Sequence, residues 1–297
     1  MKLKGVIMVL LGAASFGFTP IFVKSAFHSG YSLGQINITQ MLIALVLLGI
    51  MYLAKGLHIR ELTKSNLVKI IATGTTVGLT SIFYYGAMQY LSASLAIILL
   101  FQFVWIGMIY EWIFHKIRPS GINIVSMVVT LTGVLFASNI MEEKIVDLPA
   151  LGLLLGLLAG VTYAGFIFFS GQVAVTTHPI VRSFWMVSGS LVLVLIVFSR
   201  DVQTLFPFEL SLWLFGASLA LVGAVIPPLF FAIGAPLISG RLANVLSSVE
   251  LPVAIVSAML ILSESVTFLQ WFGIMLIVAA IIINELGATV IRRSKEY

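Results

Sequence analysis

The residue in this sequence that most demands a chemical explanation is Glu250, near the middle of an apolar run at 239–262. A charged side chain at that depth in a bilayer costs roughly 3 kcal/mol even on the lenient insertion scale. It must therefore face a water-filled cavity, hold a partner or carry a proton. A carboxyl so placed can bind a proton or a cationic solute and exchange one for the other; the alternative is a structural pair with a neighbouring helix. Ser247, Glu250, Ala254, Ser257, Ile261 and Glu264 follow in steps of three or four and so share a helix face, with Asn244 one turn before them. The small members of that face suit close helix packing equally well. Pro252 removes a backbone hydrogen bond and frees a carbonyl near Ser248, beside Glu250. Pro227 and Pro228 interrupt a second run. Broken helices at membrane depth are tolerated where they line a cavity, although proline is also common in membrane helices. These three prolines are expected to act in gating or helix breaking.

Other candidates are uncharged. Gln102 sits among Phe101, Phe103 and Trp105 in the fourth run. Its amide needs partners, and a substrate or a bond to the ninth helix would each serve. Asn37 and Gln40 share a face of the second run, and Thr73, Thr76, Thr80 and Tyr84 form a stripe on the third. The stripe is placed to line a pathway, though threonine hydroxyls also satisfy their own backbone. Tyr84, Tyr85 and Trp105 offer aromatic walls suited to a cation or an aromatic solute. The expected substrate- or proton-binding set is thus Glu250, Gln102, Asn37, Gln40, Tyr84, Trp105, Asn244 and Ser247. Glu111 and His115 read as an i, i+4 interfacial pair, and Lys24 as a side chain reaching the outer interface or an anion. Neither the histidines nor the absent cysteines offer a metal-ligand spacing, so no metal and no cofactor are expected.

The elements that hold these residues are set by composition. The chain has 297 residues, 60% hydrophobic and 9% charged, against about 25% charged in a soluble domain. Lipid is the only solvent that suits such a surface. The net charge of +5 does not signal nucleic acid, because the basic residues lie between apolar runs rather than on one face. Ten runs are long enough to span a bilayer, at 5–27, 32–54, 67–89, 92–114, 120–138, 149–171, 179–198, 211–235, 239–262 and 268–290. The first is too long for a signal-peptide core and is read as a retained helix. With both termini in the cytoplasm, thirteen Lys and Arg fall inside and three outside, the expected bias.

The chain also resembles itself at an offset of 147 or 148 residues. Leu11–Gly17 falls near Leu158–Ala164, Gly86-Ala87 on Gly234-Ala235, and Ser94–Gln102 on Leu242–Glu250, which makes Gln102 the mate of Glu250. Five helices per half is an odd number, so the second half must cross with inverted topology. Inverted repeats are a design of secondary transporters, with the site near the midplane between halves. The expected fold is all-α and integral to the membrane, ten transmembrane helices in two inverted five-helix repeats: 1–138, an external linker at 139–148, 149–290, and a basic cytoplasmic tail at 291–297.

On Leu251-Pro252-Val253-Ala254, Leu262-Ser263-Glu264-Ser265 and Phe272-Gly273 through Ala279-Ala280, the sequence resembles the EamA-type branch of the drug/metabolite transporter superfamily. The first half departs from that pattern, with Val104 in the place of Pro252 and Lys116 near that of Glu264. The resemblance implies a carrier of small metabolites, often exported, with proton coupling or exchange. It points to an amino acid, an amine or a similar small solute. No phosphate-binding glycine loop is present to couple ATP. An intramembrane enzyme is the weaker alternative, since no metal-binding, nucleophile-elbow or paired catalytic motif appears; a non-transporting membrane protein is the other. The expected setting is the cell membrane, as a multi-pass monomer whose partners are substrate, lipid and protons.

Overall fold

The computed structural model describes residues 1–56, 62–138, 149–262 and 265–293. The linker at 139–148, His58, Glu264 and the end of the basic tail lie outside them. The regular structure of the described residues is all helical, with no strand, as backbone groups without water require. The segments are labelled here α1 (Lys2–His28), α2 (Leu33–Ala54), α3 (Lys64–Tyr90), α4 (Ala93–His115), α5 (Gly121–Ala137), α6 (Ala150–Ser170), α7 (Pro179–Val197), α8 (Leu210–Leu237), α9 (Gly240–Ile261) and α10 (Phe268–Arg293). Eight of them, α1 to α4 and α6 to α9, are long and apolar enough to cross a membrane. The apolar parts of α5 and α10 are shorter, Gly121–Ala137 and Phe268–Asn284.

Local sequence fixes the helix starts. Ser32 and Ser120 open α2 and α5 with reciprocal capping boxes to Gln35 and Asn123. Ser92 caps α4 by accepting from the Leu95 amide, and Ser239 caps α9 by accepting from Leu242. At the other end of a helix, Lys24 of α1 donates to the carbonyls of Met88 (3.0 Å) and Leu91 (3.4 Å), which α3 leaves open.

Four helices are broken. α1 breaks at Gly17-Phe18. α4 divides into Ala93–Leu100 and Phe103–His115. α9 divides into Gly240–Ser247 and Glu250–Leu262. α8 widens into a π-helical turn at Ala220–Val225, just before Pro227 and Pro228. The segmentation of α4 recurs in α9 at an offset of 147, from the serine cap through both pieces. That register sets Phe103, not Gln102, opposite Glu250, and Trp105, not Val104, opposite Pro252. The correction is one residue, and it exchanges an amide for an aromatic ring.

Packing runs chiefly between the two halves. α3 lies against α6 and α7; α8 lies against α1 and α2; α4 packs on α6 and α9 on α1. α5 and α10 pair with each other at the periphery, where the Ser126 hydroxyl donates to the Ala280 carbonyl at 2.9 Å. Small residues let the backbones close up: the Ser190 hydroxyl of α7 donates to the Gly74 carbonyl of α3 at 2.6 Å.

Candidate functional site

The broken helices meet around Glu250. Its side chain is 2% exposed and opens into a cavity of about 30 Å³ between the halves. Phe16 and Thr19 come from the break in α1, Gln40 from α2, Thr80, Ser81, Tyr84 and Tyr85 from α3, Tyr163 and Phe166 from α6, and Gly223 from the π turn of α8. The space admits a water or two and is too small for a metabolite.

Two close approaches shape the site. A Cβ at Gly17 would fall 2.6 Å from the Glu250 carbonyl oxygen and 2.9 Å from Val253, so only glycine lets the break in α1 rest on the first turn of α9's second piece. The Tyr163 ring packs edge-on to Phe16 at 5.4 Å and to Phe103 at 4.9 Å. Those contacts hold its hydroxyl beside Glu250.

Polarity here is unusual. The Tyr84 and Tyr163 hydroxyls, Gln40 Oε1 and Glu250 Oε2 are buried without a hydrogen-bond partner. Buried polar atoms are paired in the large majority of cases; here Tyr163 and Glu250 face each other without a well-formed bond, and Tyr84 and Gln40 Oε1 keep unused bonding capacity at the cavity wall. The Gln40 amide faces the Tyr85 hydroxyl. Glu250 is the only charged side chain lining the cavity among the described residues, so nothing cationic offsets it.

The structure sorts the sequence-predicted residues. Glu250, Gln40 and Tyr84 line the cavity. Ser247 stands beside Tyr163, its hydroxyl bonded to the Ala243 carbonyl at 2.8 Å. Asn37 lies behind the wall: it donates to Leu33 O at 2.9 Å and accepts from Ser81 at 2.7 Å. Gln102 donates to Ile98 O at 3.0 Å and accepts from Trp105 at 2.8 Å, while Trp105 itself is 37% exposed on the outer surface. Asn244 is buried where α9 crosses α4, filling the space over Gly107. The buried Pro252 and Pro227-Pro228 flank the broken turns of α9 and α8. Within the threonine stripe the hydroxyls bond their own helix, and only Thr80 also reaches across, to Thr162 at 2.9 Å.

Sequence reasoning missed Tyr163, Phe16, Phe166 and Gly223. A signal for two of them was present: at the 147 offset Phe16 and Tyr163 are mates, and their rings meet beside the carboxyl.

A second, wider space of about 460 Å³ lies at the end of the bundle that carries His28, Ala93 and Gln270. Lys24, Ser94, Ser138 and Ser265 also line it. Chain neighbours line the two spaces, Thr19 and Pro20, Glu250 and Leu251, so a thin wall separates this vestibule from the cavity. At the opposite end the same helices are tied together. Glu111 of α4 lies 4.0 Å from Arg241 Nε of α9 and 3.8 Å from His115, and Arg241 donates to Asn123 of α5 at 3.2 Å. A Cβ at Gly240 would fall 2.6 Å from Glu111 Oε1, so the carboxylate rests at the start of α9, where the helix dipole favours it. The buried Arg182 of α7 donates to the carbonyls of Ala232 (2.9 Å) and Ser170. Among the described residues no three carboxylates or imidazoles converge as a metal site would require.

Sequence comparison matches the EamA-like transporter family over residues 3–139 and 150–285. No curated protein matches the sequence. One solved structure, titled "Crystal structure of protein", is similar at a TM-score of 0.76 with 14% identity, covering 100% of both chains. That similarity speaks to the fold alone.

Proposed function

This chain belongs to the EamA-like transporter family of the drug/metabolite transporter superfamily, and we propose that it is a secondary-active transporter that exports a small metabolite by alternating access. The observation that carries the reading is the small cavity between the halves, with Glu250 and three further polar groups on its wall that lack a well-formed hydrogen bond. Such a site at the junction of two repeats is where a carrier binds its solute. Glu250 binds the solute or its coupling proton, and the halves rock to open the cavity to either side. Its size supports this, since a solute enters only when the walls part.

Ten spans in two inverted repeats fit the packing best. The largest contacts between halves come in reciprocal pairs: α3 on α6 matches α8 on α1, α2 on α8 matches α7 on α3, and α5 meets α10. In this reading α5 and α10 also cross, both termini are cytoplasmic, and the chain acts as a monomer in the cell membrane.

The test is reconstitution in liposomes with a trapped pH dye, adding pools of amines, amino acids and other small metabolites to wild type and Glu250→Gln. Solute-dependent proton flux lost in the variant supports proton-coupled transport. Solute exchange without a proton signal makes Glu250 a binding residue only. No flux with any pool overturns the reading.

A further inference from the structure

We infer that the solute is an organic ammonium cation without a carboxylate, and that it trades places with a proton on Glu250; the inference rests on the carrier reading above and narrows it. Glu250 is the one charged group on the cavity wall among the described residues, and no Lys, Arg or His stands there to receive an acid group. The cations of the neighbourhood lie elsewhere: Lys24 and His28 line the separate vestibule, and Lys24 is held on the α3 carbonyls. Around the carboxyl stand the rings of Tyr84, Tyr85, Tyr163, Phe16 and Phe166. Aromatic faces attract a cation most where water is excluded. Hydroxyl and amide oxygens of Tyr84, Tyr163 and Gln40 have acceptor capacity to spare, which an N–H-rich head group fills. The cavity of about 30 Å³ suits such a head group, with the body of the solute accommodated as the aromatic walls part. A zwitterion would bring its own carboxylate against Glu250 in a dry site, and like charges placed together are penalised by several kcal/mol.

The exchange balances without any other reactant. The carboxyl O–H of Glu250 breaks, its proton leaves to the solution that delivered the ammonium, and an ion pair forms. On the other side a proton returns to the carboxylate and the ammonium departs. One monovalent cation moves against one proton, so net charge does not cross. A pH gradient drives the cycle, and a membrane potential alone does not.

The test uses three probes on the purified protein in weakly buffered detergent: phenethylammonium, phenylalanine (the same body with a carboxylate added) and benzyltrimethylammonium, whose charge is permanent. Binding heat and proton release are read together. Both cations are expected to bind and to release about one proton each, benzyltrimethylammonium the more weakly because it has no N–H for the acceptor oxygens, and phenylalanine is expected to bind at least about tenfold more weakly than phenethylammonium. Glu250→Gln is expected to abolish the release. Tyr163→Phe is expected to weaken cation binding severalfold while keeping the release, and it serves if the Glu250 variant fails to elute as a monodisperse peak. Phenylalanine binding as tightly as phenethylammonium overturns the inference. So does cation binding with no proton released, or no cation binding at all. If another solute then shows Glu250-dependent counterflow in liposomes, the carrier reading stands and only the substrate class falls. If no binding or flux depends on Glu250, both fall.

Discussion

Tyr163 and Asn37 are both buried and polar, and they call for opposite expectations. Tyr163 lines the cavity with its hydroxyl facing Glu250 and no well-formed hydrogen bond, so on the carrier reading the hydroxyl is open to a solute. Tyr163→Phe is expected to leave the fold intact and to lower kcat/KM for transport by about tenfold, ~1.4 kcal/mol, measured by liposome flux beside a melting curve. The Asn37 amide is already committed to Leu33 and Ser81. Asn37→Ala is expected to leave KM unchanged and to lower stability by about 1 kcal/mol, because the bond between α2 and α3 is lost while the Ser81 hydroxyl keeps its bond to the Gly78 carbonyl. Gly17→Ala is expected to be worse than either for stability, since the new methyl meets a backbone carbonyl that cannot swing aside; a lower melting temperature checks it. Glu250 was legible in one dimension because a charge inside an apolar run is conspicuous. Tyr163 was not, because aromatic residues are common in such runs and only packing shows which of them face a cavity. Gln102 looked like a site residue for the converse reason: its partners, Ile98 and Trp105, lie on its own helix, and a local bond leaves no trace at a distance.

At the scale of elements, α4 and α9 are the informative pair. Each has a serine cap, an eight-residue piece, a two-residue turn and a thirteen-residue piece. Sequence identity alone set the offset to within one residue, and the caps and breaks fix it. Both helices are tied at one end by Glu111, Arg241 and Asn123 and spread at the other around the vestibule. The tie joins α4 and α5 of the first half to α9 of the second, so it is expected to hold the cavity shut on its own side. Glu111→Gln should loosen it and shift the population toward the opposite-facing state, by about fivefold for a change of ~1 kcal/mol. The chain has no cysteine, so a single thiol placed at Ala258 in the vestibule reports the shift. Labelling by a membrane-impermeant maleimide from outside is expected to slow in the Glu111→Gln background. Unchanged labelling would mean that the tie is only an anchor.

For the whole molecule, composition and hydropathy disclosed the solvent and the all-helical class, but not which helices touch. Lipid tails are as apolar as the helices, so helix pairing rests on shape and small polar contacts, and these carry little signal in a sequence. The structure supplies that missing layer: α3 lies against α6 and α7, and α8 against α1 and α2, so neither half owns its core. Residues 1–138 and 149–297 expressed apart are expected to be degraded, and expressed together to co-purify and recover transport. The same site that sits between them has a thermodynamic side. Buried polar atoms without a well-formed hydrogen bond weigh against the folded state by about 1–3 kcal/mol each, Tyr84 and Gln40 Oε1 above all, since Tyr163 and Glu250 face each other. On the carrier reading, the empty protein is therefore its own least durable form. A solute that satisfies those atoms raises the melting temperature in proportion to the logarithm of its concentration once that exceeds the dissociation constant, so heat can search a chemical library for the cargo with no assay of movement at all. By the same logic, Glu250→Leu should make the unloaded protein harder to melt while leaving it deaf to every compound that protects the wild type.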